Sequence, residues 1–198
     1  MPVNLDDPRV IRTRQQLVQA FNELVGEKRN FYSISVHDIA TQAGVNRTTF
    51  YAHFQDKYDF LEYWKTEKFK IFVNGRLPED ASFHADNLRI LIHTVFDFLL
   101  QARQYSTPGD KQFEAIFENA IHKELHRLLL KWLQEANTQG FSRDKVETKA
   151  LVVSWGVFGS ALQWSRNPQN RSVEWMVEEI IEVIGTDLDW SNLRYGSA

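Results

Sequence analysis

The stretch that decides the fold reads Ser35-Val36-His37-Asp38-Ile39-Ala40-Thr41-Gln42-Ala43-Gly44-Val45-Asn46-Arg47-Thr48-Thr49-Phe50-Tyr51-Ala52-His53-Phe54. Ser35 precedes Val36 with Asp38 at the third helical position, a capping box with Asp in place of Glu. Asn46 opens a second helix after the Ala43-Gly44-Val45 turn. Gly44 supplies a turn conformation that other residues resist, and the small Ala40 lets two short helices approach and cross steeply. Ile39, Ala43, Val45, Phe50 and Phe54 are then expected to meet in one small core. Asn46 to Thr49, the first turn of the second helix, is left facing outward. Its free backbone N–H groups and positive dipole end suit phosphate, and Arg47, Thr48 and Thr49 can reach phosphates or base edges. This is helix-turn-helix logic. The same spacing also fits an ordinary helical hairpin whose Thr and Arg side chains only solvate a surface.

Helical periodicity continues on both sides. Upstream, Val10, Leu17, Phe21, Leu24 and Val25 form a stripe with a stop expected at Gly26. Downstream, Asp56 opens an amphipathic run through Phe60, Leu61, Trp64 and Phe69, with a break at residues 74–80. Leu88, Leu91, Ile92, Val95, Phe96, Leu99 and Leu100 make one broad face. Phe113 to Leu133 makes another, kinked or split. Residues 151–164 carry no charge at all, so a helix there must be covered on every side. Val173, Val177, Ile180, Ile181 and Ile184 form the last stripe, capped by Ser172 and stopped near Gly185. No alternating run is long enough to force a sheet. The expected architecture is all-α: a three-helix domain over residues 1–56, then a larger helical bundle over 57–198 that shares the helix beginning at Lys57.

With 198 residues, a core of ordinary size needs no staple, and zero cysteines exclude a disulfide framework, thiolate zinc and a Cys nucleophile. No signal-like or membrane-spanning stretch is evident, which fits a cytoplasmic protein. The net charge of −3 speaks against a polyanion binder that works through bulk positive charge. The first 57 residues differ slightly from the rest. Seven basic residues (Arg9, Arg12, Arg14, Lys28, Arg29, Arg47, Lys57) face six acidic ones there, whereas the remainder holds 16 against 20. Any nucleic-acid affinity must therefore come from a few placed groups.

The pattern Ile39-Ala40-x-x-Ala43-Gly44-Val45-x-x-x-Thr49-Phe50-Tyr51-x-His53-Phe54-x-x-Lys57-x-x-x-Leu61 resembles the DNA-binding signature of TetR-family transcriptional regulators. The preceding helix from Pro8 to Val25 and the Phe31-Tyr32 link also fit it. The resemblance covers about 50 N-terminal residues; the remainder has only the length and helicity of that family's effector and dimerisation domain. It implies a homodimer whose two recognition helices enter successive major grooves of a palindromic operator on double-stranded DNA, released when a small molecule binds the C-terminal domain. Position by position, it implies that Arg47, Thr48, Ala52 and sometimes His37 face bases. Ser35, Thr49, Tyr51, His53 and Lys57 match positions that grip phosphates. Ala52 is small enough to touch only a thymine methyl. The alternative reading of Tyr51 and His53 is as core or supporting residues.

The uncharged segment argues separately for dimerisation. Leu151, Trp155, Phe158 and Leu162 lie on one side, and Gly156, Gly159 and Ser160 make a flat strip where another helix can approach. With Val177 and Ile181 of the last helix, two copies would form a four-helix interface; a central helix in a monomeric bundle is the alternative. Trp132, Trp155, Trp164, Phe96, Phe113 and Phe117 can line a cavity for an apolar or aromatic effector, or simply pack. His122 and His126 have the spacing of paired metal ligands, but no third ligand follows and Glu124 points elsewhere. There is no GxSxG, P-loop or GxGxxG sequence, and no cofactor or metal is implied. The residues and the resemblance together favour a regulator, not an enzyme, and the resemblance implies a repressor. The other readings are a helical interaction protein with little sequence-specific DNA binding and, remotely, a bundle enzyme with a His-based metal site.

Overall fold

Capping side chains and helical stripes divide the chain into α1 (Pro8–Lys28), α2 (Val36–Gln42), α3 (Arg47–His53), α4 (Lys57–Asn74), α5 (Ala85–Gln104), α6 (Lys111–Glu135), α7 (Arg143–Arg166) and α8 (Val173–Asp187). The computed structural model describes residues 7–28, 33–104, 111–137, 140–168 and 171–187, and among these there is no strand. Phe31, Tyr32 and the Phe113 side chain lie outside the described residues. The chain forms two units, Met1–Trp64 and Lys65–Ala198. The division falls inside α4, eight residues beyond the boundary at Asp56 that the sequence suggests. The reason is that Phe60, Leu61 and Trp64, on the first two turns of α4, are buried with the residues of the first unit.

In that first unit, Leu17, Phe21 and Leu24 of α1 meet Ile39 and Ala40 of α2, Phe50 of α3 and Phe54, all buried. Aromatic edges hold it together: Phe21 meets Phe60 at 5.2 Å and Trp64 at 5.0 Å, and Phe54 meets Phe60 at 5.1 Å, all nearly perpendicular. Each such pair adds about 0.5–1.5 kcal/mol beyond area burial. Ala43 and Val45, expected in this core, are only half-buried because they flank the turn. Helix α1 does not stop at Gly26. An added Cβ there would meet open space, and the backbone stays helical at the roughly 1 kcal/mol cost of a glycine.

The second unit packs the rest of α4 with α5, α6, α7 and α8. Leu88, Leu91, Ile92, Val95 and Phe96 of α5 join Ile121, Leu125, Leu129 and Trp132 of α6 and Val153, Val157, Phe158 and Ala161 of α7 in one cluster. Helix α6 is one element, not two. Helix α7 begins at Arg143 behind an N-cap Ser142, and α8 begins behind Ser172, whose hydroxyl accepts from the Trp175 N–H at 3.2 Å. Helix α8 runs past Gly185 to Asp187.

Candidate nucleic-acid interface

The two short helices are set by their caps. The Ser35 hydroxyl accepts from the Asp38 N–H at 3.1 Å, and the Asp38 carboxylate accepts from the Ser35 N–H at 2.9 Å, completing the capping box of α2. At the turn, Gly44 has φ +67° and the Val45 N–H donates to the Ala40 carbonyl at 2.9 Å, closing the end of α2. The Asn46 side chain caps α3, accepting from the Thr49 N–H at 2.8 Å and from its hydroxyl at 3.1 Å. Asp56 caps α4 in the same way, accepting from the N–H groups of Tyr58 and Asp59 at 2.8 and 2.9 Å. Phe50 is the inward anchor of α3, so its opposite face is fixed outward.

That outward face holds most of the residues expected to touch DNA. Arg47, Thr48, Tyr51 and Ala52 are exposed on α3, and His37 is exposed on the first turn of α2. Tyr51 is 48% exposed, its ring edge against Phe50, and the Arg47 guanidinium lies 6.0 Å from its ring centre. Stacking of this kind holds Arg47 along α3 with its charge still outward. Ser35 is exposed and its hydroxyl proton is not used by the cap. Thr49 is different: half-buried, it has committed both its N–H and its hydroxyl to Asn46. It can meet a phosphate only by exchanging those bonds. Lys57 is half-buried at the start of α4, where burial lowers its pKa below the ordinary lysine range and the attraction of Asp38 opposes that shift.

His53 occupies the last turn of α3. Its pKa is held below the ordinary histidine value by burial first and by the Arg14 charge second, so the neutral ring is favoured. Its Nδ1 is buried without a hydrogen-bond partner. Arg14 was not singled out by the sequence pattern, yet its guanidinium donates to the His53 carbonyl at 2.9 Å. It occupies a position of the α1 stripe itself, four residues after Val10 and three before Leu17, and a cation in that apolar row was the available signal.

Residues 25–63 match the model of the bacterial regulatory proteins, tetR family. The N-terminal unit is thus similar to the DNA-binding part of the TetR family. The HTH-type transcriptional regulator YxbF of Bacillus subtilis (strain 168), itself uncharacterized, is 38% identical over 56 residues, which is 28% of this chain and 15% of that relative's length. Over most of the chain the TetR-like fold also matches solved structures. Thermus thermophilus FadR, a TetR-family transcriptional repressor crystallised with lauroyl-CoA, is 21% identical with a TM-score of 0.53, covering 93% of this chain and 97% of that one. The dihydroxyacetone kinase operon activator DhaS is 20% identical with a TM-score of 0.53, covering 90% and 97%.

The TetR-like chain has a second unpartnered surface in its other unit. Helix α7 buries Val153, Val157, Phe158 and Ala161 but leaves Leu151, Trp155, Gly156 and Val152 outside, the last 65% exposed. The uncharged segment is therefore covered by its own chain on one face only. A Cβ at Gly156 or Gly159 would meet nothing within 4 Å. Phe158, read from sequence as sharing a side with Trp155, points into the core instead, and Leu162 is half-buried. Ser160 and Ile181 are half-buried, and Val177 is buried in the unit's own core. Two residues the stripe reading missed, Trp175 and Val183 on α8, are exposed, and their spacing of eight along the helix was the available signal.

Behind this face, the His122 ring stacks on Trp155 with ring centres 3.8 Å apart, and its Nε2 lies 3.3 Å from the Ser154 hydroxyl. Burial, then repulsion by His126, holds His122 below the ordinary histidine value. Glu124 turns away to a two-pronged pair with Arg127 at 2.6 and 2.9 Å. Among the described residues no three His, Cys, Asp or Glu side chains converge on a metal position, and no helix is long and apolar enough to cross a membrane. Phe96 and Trp132 are packed into the core. One groove among the described residues, of about 590 Å³, is lined by Arg76, Arg89, His93, Asp97, Glu174 and Glu178 over Ile90 and Val177, so the walls of this groove are charged, not aromatic.

Proposed function

We propose that the chain is a cytoplasmic, homodimeric transcriptional regulator that reads a palindromic operator with α3 and represses until an effector releases it. The observation that carries this is the outward face of α3, where Arg47, Thr48, Tyr51 and Ala52 stand exposed on a helix whose caps and Phe50 anchor leave them no role in the core. In this reading Arg47, Thr48, Ala52 and His37 face bases, while Ser35, Tyr51, His53 and Lys57 hold phosphates, with Thr49 joining them if its cap bonds exchange. The face of Leu151, Trp155, Gly156, Gly159, Ser160 and Ile181 pairs with its symmetry mate, since two half-sites one helical turn of about 34 Å apart require two-fold symmetry. Val177 supports that face from beneath. The effector is an apolar or aromatic small molecule, and the protein is not an enzyme.

Fluorescence anisotropy on the DNA upstream of its own gene, over a salt series, tests the reading. Tight binding to a palindrome that weakens steeply with salt is expected. Absence of binding at low salt defeats it and leaves a helical interaction protein. The sign of regulation is read from a reporter under that same DNA: repression is expected, and higher expression in the protein's presence would reverse that part alone.

A further inference from the structure

Helix α3 has only seven residues, far too few to be stable alone, so contacts at its two ends must set its direction. The N-terminal end is fixed by the Gly44 turn and the Asn46 cap. At the other end, the Phe54 N–H satisfies the Phe50 carbonyl, and the His53 carbonyl would be one of the orphan acceptors of a helix terminus. Arg14 of α1 fills that place with its 2.9 Å bond. The guanidinium also lies over the rings of Phe54, at 4.8 Å, and of Tyr63 on α4, at 5.0 Å. One side chain thus joins α1, the end of α3 and the start of α4. Asn22 of α1 also accepts from the Trp64 ring N–H, and Glu23 from the Gln42 amide, but these ties end on α4 and α2.

We propose that Arg14 is a positioning residue for DNA reading: it fixes the C-terminal end of α3, and so the angle at which that helix meets the groove. The inference rests on the reading of α3 as the recognition helix. Half-buried, with its Nε unpartnered, Arg14 carries its charge into the unit at a cost that a surface contact alone would not explain. A lysine keeps the charge but has neither the planar fork nor the flat face that lies on two rings. Without the tie, α3 pivots about the Gly44 turn. Residues farthest from the pivot, Tyr51 and Ala52, move most, and Arg47 moves least.

The test uses a duplex selected by the wild-type chain from a random pool, and compares wild type with Arg14→Gln and Arg14→Lys by anisotropy over a salt series. Both variants are expected to fall about tenfold or more in affinity for the selected duplex, the scale of one mismatched base pair. Their salt slope and their binding to a random duplex stay at wild-type values, and their base discrimination relaxes first opposite Ala52. A slope lower by about one per Arg14 would make it a phosphate ligand and overturn the proposal. So would wild-type affinity in both variants, or rescue by lysine. Circular dichroism accompanies each titration; if neither variant retains a helical spectrum, Arg14 serves stability and the proposal falls. A wild-type chain that selects no duplex refutes the recognition-helix reading itself, and the Arg14 role with it, which distinguishes the two failures.

Discussion

Two helices of this chain each turn one face away from the unit that holds them, and the two faces are chemically opposite. On α3 the outward residues are Arg47, Thr48, Tyr51 and Ala52, rich in donors and carrying a cation. On α7 they are Leu151, Val152, Trp155 and Gly156, with no charge and hardly a donor among them. A polar face left in water costs little and can exchange its waters for phosphate and base edges. An apolar face in water has no such use, and its burial against another surface is favourable by about 25 cal/mol per Å². The two faces therefore suit different partners: a hydrated polyanion for α3, a protein surface for α7. The same contrast accounts for DNA reading by a chain of net charge −3 under the proposed function, since pairing through α7 would double a reading head that has few cations of its own.

The sharpest way to break that contrast is Gly156→Leu. Within one chain the new side chain starts in open space, and leucine is a better helix former than glycine by about 0.8–1 kcal/mol, so the fold should hold or gain. Across a close helix pair it must clash. Light scattering is expected to give half the wild-type mass, and affinity for a two-half-site duplex should fall on the order of 10²–10⁴-fold as avidity disappears. An unchanged mass would remove α7 from the interface. On the polar side, Lys57→Ala should weaken binding to all duplexes alike and reduce the salt slope by about 0.9 for each phosphate that is no longer neutralised. A loss confined to one base pair would contradict its backbone role.

The polar face was far more legible in the sequence than the apolar one. Ser35, Asp38, Gly44, Asn46 and Asp56 act through bonds to backbone atoms two or three residues away, so their spacing alone predicts both caps and turn. The outward direction of Arg47 and Thr48 then follows from the inward direction of Phe50. Long-range packing carries no such local mark. An uncharged run shows that residues 151–164 need covering, but not which side its own chain covers, and Phe158 went to the inner side while Val152 and Trp155 stayed out. The partner of Arg14 was hidden for the same reason: the His53 carbonyl stands 39 residues away. The unit boundary shifted to Trp64 because three aromatic or aliphatic anchors on α4 pair with residues some forty positions upstream, as Trp64 does with Asn22.

A smaller effect tests whether the α3 face depends on the turn that presents it. At Gly44 the backbone has φ +67° while the space around it is open, so Gly44→Ala meets no steric wall and incurs only the left-handed backbone penalty, about 1–2 kcal/mol. Denaturant unfolding followed on the first unit's tryptophan, Trp64, should show that loss of stability. Equal stability of the variant would mean that the turn can relax at no cost, and that the direction of α3 is set elsewhere.

The smallest expected effect separates two histidines, the half-buried His53 near one face and the buried His122 near the other. Both His53 and His122 are held below the ordinary value of 6.5, and burial is the leading cause for each. A depressed histidine pKa means that the unfolded chain takes up the proton first. Stability is therefore whole above pH 6.5 and declines as the pH falls from there through each lowered value. The second cause differs: it is the Arg14 guanidinium for His53 and the neighbouring His126 for His122. His126→Gln should thus move the His122 midpoint upward and leave His53 where it is, and Arg14→Lys should leave both low, because the charge beside His53 remains. Imidazole resonances followed by NMR through the acid range read each midpoint separately. If His126→Gln shifts His53 as well, the two faces are electrostatically linked, and the independence that the contrast between them requires is gone.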